Sequence, residues 1–277
     1  PEDIPLPAPA EWKGNNPIPE LATARADLRG DELFDQGVAA IQKFRAIYHG
    51  SLKYLDDQVA RIVSFLRARG IDDDTRIIFT TDHGEMLGDH EMLTKGIKHY
   101  DMGIRCPLIV AGGNVAQGVT DRLTCTLDFF PTFCDFAGIP ASERPPLEGR
   151  SFAPICDGNP DTNPWAAVSV AFGPVESVIT ADNWRLTRYL GSGRMQMFNL
   201  TDDPREQCDL IDDPAYIERK IEMLGRLIEV MNYPKSIMNY RNLPVIDGKK
   251  IPVHEDQFKD AIRYFPQTAS PHEGGES

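Results

Sequence analysis

Arg76-Ile77-Ile78-Phe79-Thr80-Thr81-Asp82-His83-Gly84-Glu85 joins a β-branched and aromatic run to a turn that carries a carboxylate, an imidazole and a glycine. The run from Arg76 to Thr81 has the composition of a short buried strand. Upstream, Val38, Ile41, Phe44, Tyr48, Leu52, Leu55, Val59, Ile62, Val63 and Leu66 recur at three- and four-residue steps. That period predicts a long helix, or a broken helix pair, from Asp31 to about Arg69, stopped by Gly70. Ile71-Asp72-Asp73-Asp74 is then a polar connection. Downstream, Pro107-Leu108-Ile109-Val110-Ala111 is a second buried-strand candidate ending at Gly112-Gly113, with a helix expected through Leu127–Cys134 that Asp128 caps or enters. Helix, loop and strand make half of an α/β unit, which places the chain in the α/β class with part of a parallel sheet.

The texture changes after Gly149. Ala167–Phe172, Val175–Thr180, Trp184–Tyr189 and Met195–Leu200 are short β-rich runs separated by Gly, Asn and Asp turns, the spacing of an antiparallel sheet. An amphipathic helix is predicted from Pro214 to Met231, with Ile217, Ile221, Leu224, Leu227 and Ile228 on one face. Residues 1–30, rich in Pro, Asn, Gly and Ala, read as an extended surface segment, and 233–277 as an irregular polar tail.

The chain has 277 residues, of which 41% are hydrophobic and 26% charged, an ordinary globular composition. Its 42 acids against 29 bases give a formal charge of -13, a field that repels phosphate backbones and anionic lipid surfaces. Neither nucleic acid nor a membrane is expected as a partner, and no apolar run approaches the ~20 residues needed to cross a bilayer. Five cysteines without metal-ligand spacing, Cys106, Cys125, Cys134, Cys156 and Cys208, read as isolated buried thiols.

Asp82 and His83 follow the strand directly, where open α/β sheets place their ligand sites. A carboxylate and an imidazole on a sharp turn can both face one metal ion. The alternative is structural, with Asp82 capping a following helix and His83 bonded to a neighbour.

The continuation, Gly88-Asp89-His90-Glu91-Met92-Leu93-Thr94-Lys95-Gly96, then Lys98-His99-Tyr100-Asp101 and Arg105-Cys106-Pro107-Leu108-Ile109-Val110, resembles the sulfatase family of the alkaline-phosphatase superfamily. So do Tyr54–Ile62, Asp128-Phe129-Phe130-Pro131-Thr132 with Ala137-Gly138-Ile139-Pro140 and Glu148-Gly149-Arg150-Ser151, and the closing Met197–Gln207 stretch, which is similar to the family's Leu-Asp-Pro-x-Glu pattern. The resemblance runs in order through about residues 1–232. It implies part of an alkaline-phosphatase-like sandwich with a smaller C-terminal antiparallel sheet plus helix. The implied organisation is residues 1–160 as the end of the catalytic α/β domain and 161–232 as the sheet-and-helix subdomain.

The resemblance also implies roles at matching positions. Asp82 and His83 match a pair of metal ligands, and Lys95 matches the lysine that contacts the transferred sulfuryl group. Calcium is the ion implied, with magnesium, manganese or zinc as alternatives because His83 offers nitrogen where calcium prefers oxygen. Lys98 and His99 are expected at the substrate rim, while His49, His90, His254 and His272 are assigned no chemistry and Glu85 and Asp89 are expected at helix ends. The family's nucleophile, a formylglycine made from Cys or Ser in a C/S-x-P/A-x-R segment, has no match, nor do its first Asp pair, its lysine loop or its Pro-His-x-Pro histidine. The chain therefore reads as the carboxyl-terminal part of a hydrolase acting on small-molecule or saccharide sulfate esters, inactive alone. The alternatives are a phosphonate monoester or phosphodiester hydrolase, in which the lysine also stands twelve residues beyond the histidine as Lys95 does beyond His83, and a catalytically silent fragment.

Overall fold

The period in the sequence becomes a helix pair. In the computed structural model, which describes residues 3–9, 18–21, 26 and 29–231 and the backbone of 245–246 and 249–250, α1 spans Gly30–Asp35 and α2 spans Val38–Arg69. The long helix ends where expected, with the amides of Gly70 and Ile71 bonded back to the carbonyls of Arg67 and Leu66. Only Arg45 of α2 is buried, and Ile47, Tyr54, Leu55, Ile62 and Phe65 lie exposed along it.

The quoted run forms β1, Ile77–Thr80, and its partner β2 is Leu108–Ala111; between them lies the short α3, Asp101–Ile104. These strands pair antiparallel, with Ile78 opposite Val110 and Thr80 opposite Leu108, in place of the parallel arrangement expected. Nor are they buried: Phe79 is 39% and Ile109 57% exposed. A two-stranded ribbon has two open edges, and no further strand joins it among the described residues.

Helix α4, Phe129–Phe136, and the short α5, Ala153–Cys156, are organised by Asp128. That side chain is fully buried and accepts from the indole N–H of Trp165 at 3.0 Å and the backbone amides of Arg150 at 2.7 Å and Cys125 at 3.1 Å. The Asp-Phe-Phe-Pro-Thr and Glu-Gly-Arg-Ser motifs thus meet at one carboxylate, and Thr132 Oγ1 receives the Phe152 amide at 3.0 Å.

The C-terminal part is the expected meander, β3 (Ala167–Phe172), β4 (Val175–Thr180), β5 (Trp184–Tyr189) and β6 (Met195–Asn199), in sequential antiparallel order. Helix α6, Ile217–Met231, covers one face. Val178, Leu186, Met197 and Met223 are fully buried there, each contributing about 1.5–3 kcal/mol relative to exposure. The face that packs is only in part the one predicted: Leu227 is buried and Leu224 packs against the core as expected, and Met223 joins them, while Ile217, Ile221 and Ile228 are 53–65% exposed. The helix carries two adjoining apolar stripes, and the sheet takes the one led by Met223.

On the sheet's other side, Ile18 and Leu21 enter a core cluster with Met86, Met92, Tyr100, Val175, Tyr189 and Phe198. The N-terminal segment is therefore not simply laid on the surface; Glu20 also holds the β5–β6 turn through the Ser192 amide and hydroxyl. Of the five thiols, Cys134 and Cys156 are buried, Cys106 and Cys125 are partly so, and Cys208 is exposed. The chain divides into two units, Pro1–Met231 and Asn232–Ser277. In the second, within the segment read as irregular, β7 (Val245–Ile246) pairs with β8 (Lys249–Lys250).

Candidate active site

Asp82 and His83 stand at the end of β1, and no helix begins there, which removes the capping alternative for Asp82. The Asp82 side chain is 83% exposed and its Oδ1 lies 3.6 Å from His83 Nε2. His83 Nδ1 is 2.8 Å from the Gly84 carbonyl oxygen. A carbonyl only accepts, so Nδ1 donates this hydrogen bond and Nε2 is the ring nitrogen turned toward the carboxylate. The pair fits half of a divalent-metal sphere, and no third His, Cys, Asp or Glu joins it among the described residues. Hydrogen bonding from its own backbone amide holds the Asp82 carboxyl below the ordinary value, keeping it ionised as a ligand must be.

The turn rests on backbone. The Gly84 amide donates to the Gly103 carbonyl at 3.0 Å, and a Cβ at residue 84 would come 2.0 Å from the Met102 carbonyl oxygen. Only glycine permits that approach. Glu85 is not at a helix end: its carboxylate receives the Thr94 amide, while the Met86 amide donates to the Thr94 carbonyl at 3.1 Å. The intervening loop closes on itself and places Lys95 beside the segment that follows His83. Leu87, His90, Glu91 and Thr94 all take positive φ in this loop, strain of about 1 kcal/mol or more each that the surroundings must over-determine. Asp89 supplies part of that constraint, buried between the Ala8 amide at 3.0 Å and the Arg45 guanidinium at 3.2 Å. Lys95 itself is exposed.

Lys98 and His99 do not stand at a rim. They are 2% and 1% exposed, because the β3–β6 sheet packs over the segment that carries them. Lys98 Nζ donates to Thr94 Oγ1 at 2.8 Å, and His99 Nδ1 meets Ser177 Oγ at 2.8 Å, which in turn meets Thr187 Oγ1 at 2.8 Å. Lys98 thus braces the Lys95 loop, and His99 ties the same segment to the sheet. His90 is also buried, stacked on Tyr100 with ring centroids 4.1 Å apart. His49 is exposed, and His254 and His272 lie outside the described residues.

Burial, reinforced by the Arg185 charge, pushes both His90 and His99 down to about 4 from 6.5. Between those values the folded chain binds fewer protons than the unfolded one. Their stabilising contribution is therefore full above pH 6.5 and is lost as pH falls through about 4. Glu206, raised by burial to about 7 from 4.5, has the opposite slope between those two values. Asp89 and Asp209, also raised by burial, share the direction of Glu206, so a ring's contribution is read from a variant and not from the total. Stability lost between pH 7 and pH 4, measured from urea midpoints, should be smaller in His99→Gln than in wild type; an equal change in that variant would mean that the His99 ring is not held neutral.

With the geometry in place, the relationships of the chain are plain. The family model for Sulfatase matches residues 7–139, and the model for N-sulphoglucosamine sulphohydrolase, C-terminal, matches residues 88–233, more than half of the chain. The chain belongs to the sulfatase family. The choline-sulfatase of Rhizobium meliloti is 32% identical over 185 residues, covering 65% of this chain and 36% of its own length. A 2-O GAG sulfatase of known structure superposes with a TM-score of 0.73 at 25% identity, over 88% of this chain and 55% of that one. The phosphonate monoester hydrolase of Agrobacterium radiobacter gives a TM-score of 0.60 at 26% identity, over 70% of this chain and 42% of that one. These neighbours share the alkaline-phosphatase-like fold, and this sulfatase-family chain spans between 36% and 47% of the length of the first curated relatives it matches.

Proposed function

We propose that the complete protein is a sulfuric ester hydrolase acting on a small-molecule or saccharide sulfate ester. The observation that carries this is the Asp82–His83 pair, its carboxylate 3.6 Å from the imidazole Nε2 at the end of β1, with exposed Lys95 on the loop tied back to residues 85–86. Asp82 and His83 would hold a divalent cation, calcium by the family or magnesium, manganese or zinc by the nitrogen in the donor set. Bound there, such an ion supplies Lewis-acid polarisation of an ester oxygen. Lys95 places a point charge on the non-bridging oxygens of the sulfuryl group as their charge rearranges. The nucleophile belongs to a C/S-x-P/A-x-R segment that is not among these 277 residues; in this reading they are inactive alone.

The second reading, a phosphonate monoester or phosphodiester hydrolase, draws on the Agrobacterium neighbour and on the twelve-residue spacing from His83 to Lys95. One lysine and a single metal-ligand pair suit a singly charged group, whereas doubly charged phosphate monoesters are commonly met by two-metal clamps. The deciding measurement is kcat/KM of the complete protein for an aryl sulfate against an aryl phosphonate monoester with the same leaving group. The sulfate should be the better substrate, and a higher value for the phosphonate would hand the assignment to the second reading.

A further inference from the structure

Phe172 closes β3 at the tip of the β3–β4 hairpin, where it pairs with Val175 across a two-residue Gly-Pro turn. Val175 is fully buried, yet Phe172 is 59% exposed. A solitary exposed Phe is ordinary on a protein surface; its position is what sets this one apart. Its ring lies against Gly96, the residue after Lys95, so closely that a Cβ at residue 96 would sit 3.3 Å from Phe172 Cε1 and 3.7 Å from Cδ1. Gly96 has φ +92°, a conformation in which glycine alone is unstrained. The hairpin tip is also fixed from behind, since the Leu190 amide donates to the Pro174 carbonyl at 2.8 Å. A half-exposed aromatic ring therefore stands against the residue next to the lysine assigned to the sulfuryl group.

We propose that Phe172 forms one wall of the leaving-group pocket and sets a preference for substrates whose alcohol part presents a flat apolar face, as an aryl ring or the C–H face of a sugar ring does. The inference rests on the sulfatase reading of Lys95. The Phe172 ring lies against the residue that follows that lysine, so it is apolar surface within reach of the alcohol part of an ester held there. Stacked or edge-to-face contact of an aromatic pair gains affinity beyond the area it buries. It acts on the alcohol part in ground state and transition state alike, so it belongs in KM more than in kcat.

The test compares wild-type, Phe172→Ala and Phe172→Tyr forms of the complete protein with phenyl sulfate, glucosamine 6-sulfate and ethyl sulfate, measuring turnover and, by calorimetry, the Kd for phenyl sulfate. Phe172→Ala should raise KM and Kd for phenyl sulfate about tenfold, the change that 1.4 kcal/mol gives. It should leave kcat within a few-fold and ethyl sulfate unaffected, and Phe172→Tyr should restore the loss. A matching rise for glucosamine 6-sulfate identifies the sugar face as the natural partner, and its absence leaves aryl esters. Equal affinity of wild type and Phe172→Ala for phenyl sulfate, or an equal loss on ethyl sulfate, overturns the proposal. A wild type that binds phenyl sulfate but hydrolyses none of the three overturns the hydrolase reading instead, while the Kd comparison still decides the wall.

Discussion

Replacing Lys95 by alanine in the complete protein should lower kcat for a sulfate ester by roughly 10²–10³, the scale found when one preorganised charge-stabilising donor is removed. The expectation rests on where the lysine stands. Its loop is pinned by the Glu85 carboxylate on the Thr94 amide and by the Met86–Thr94 backbone bond, so the backbone that carries Lys95 is held next to the segment that follows His83. Lys98, three residues on, provides the contrast. It is buried and spends a hydrogen bond on Thr94 Oγ1, so Lys98→Ala should reduce folding stability and leave the kcat of the folded fraction within about tenfold, since its charge acts inside the loop's support. Active-site titration separates the two effects by counting competent molecules. Equal kcat losses per competent site would remove the reason to assign the sulfuryl contact to Lys95 alone.

How much of this was legible beforehand follows the range of the interactions. The α2 period, the Gly70 stop, the four-strand meander and the Asp82–His83 pair are local signals, each contained in a few turns or one tight loop, and each appears where the residues placed it. The pairing of β1 with β2 was not legible as antiparallel, because composition tells that a run is extended and not which neighbour it meets. The packed face of α6 was read only in part for a related reason: Leu224 and Leu227 pack as predicted, but Ile217, Ile221 and Ile228 are as apolar as Met223, and only the sheet decides between them. Around the site, the contacts that sequence reading missed join distant residues. Arg45 meets Asp89 across 44 positions and the Asp101 amide meets Glu206 across 105. Glu206 did stand within the recognised closing stretch, so its importance was visible while its partner was not. Lys98 and His99 were read as rim residues because they follow Lys95 by three and four positions; the sheet that buries them lies some seventy residues further on, with Ser177 78 positions from His99.

Arg185→Met should destabilise the fold by about 3–5 kcal/mol, the scale of removing one partner from a buried ion pair. Arg185, on β5, and Glu206 form a salt bridge in which the side chains are 1% and 2% exposed. The guanidinium carbon lies 5.3 Å from the centroid of Tyr100 and 5.1 Å from that of Phe198, which adds cation–π attraction to packing. The other Glu206 oxygen accepts the Asp101 amide at 2.8 Å, at the start of the helix whose Gly103 carbonyl holds Gly84. One pair therefore ties the C-terminal sheet to the shelf under Asp82 and His83. Methionine preserves much of the volume but leaves the carboxylate without its cation, and burial already draws Glu206 toward protonation at about 7. Arg185→Met with Glu206→Gln removes both charges and should recover a large part of the loss, because the cost lies in the stranded charge more than in the missing attraction. Urea midpoints of the two single variants and the double give the coupling, and exchange of the Asp101 amide reports whether the shelf loosens first. A single variant within about 1 kcal/mol of wild type, or a double equal to the sum of the singles, would show that the pair does not hold the sheet to the site.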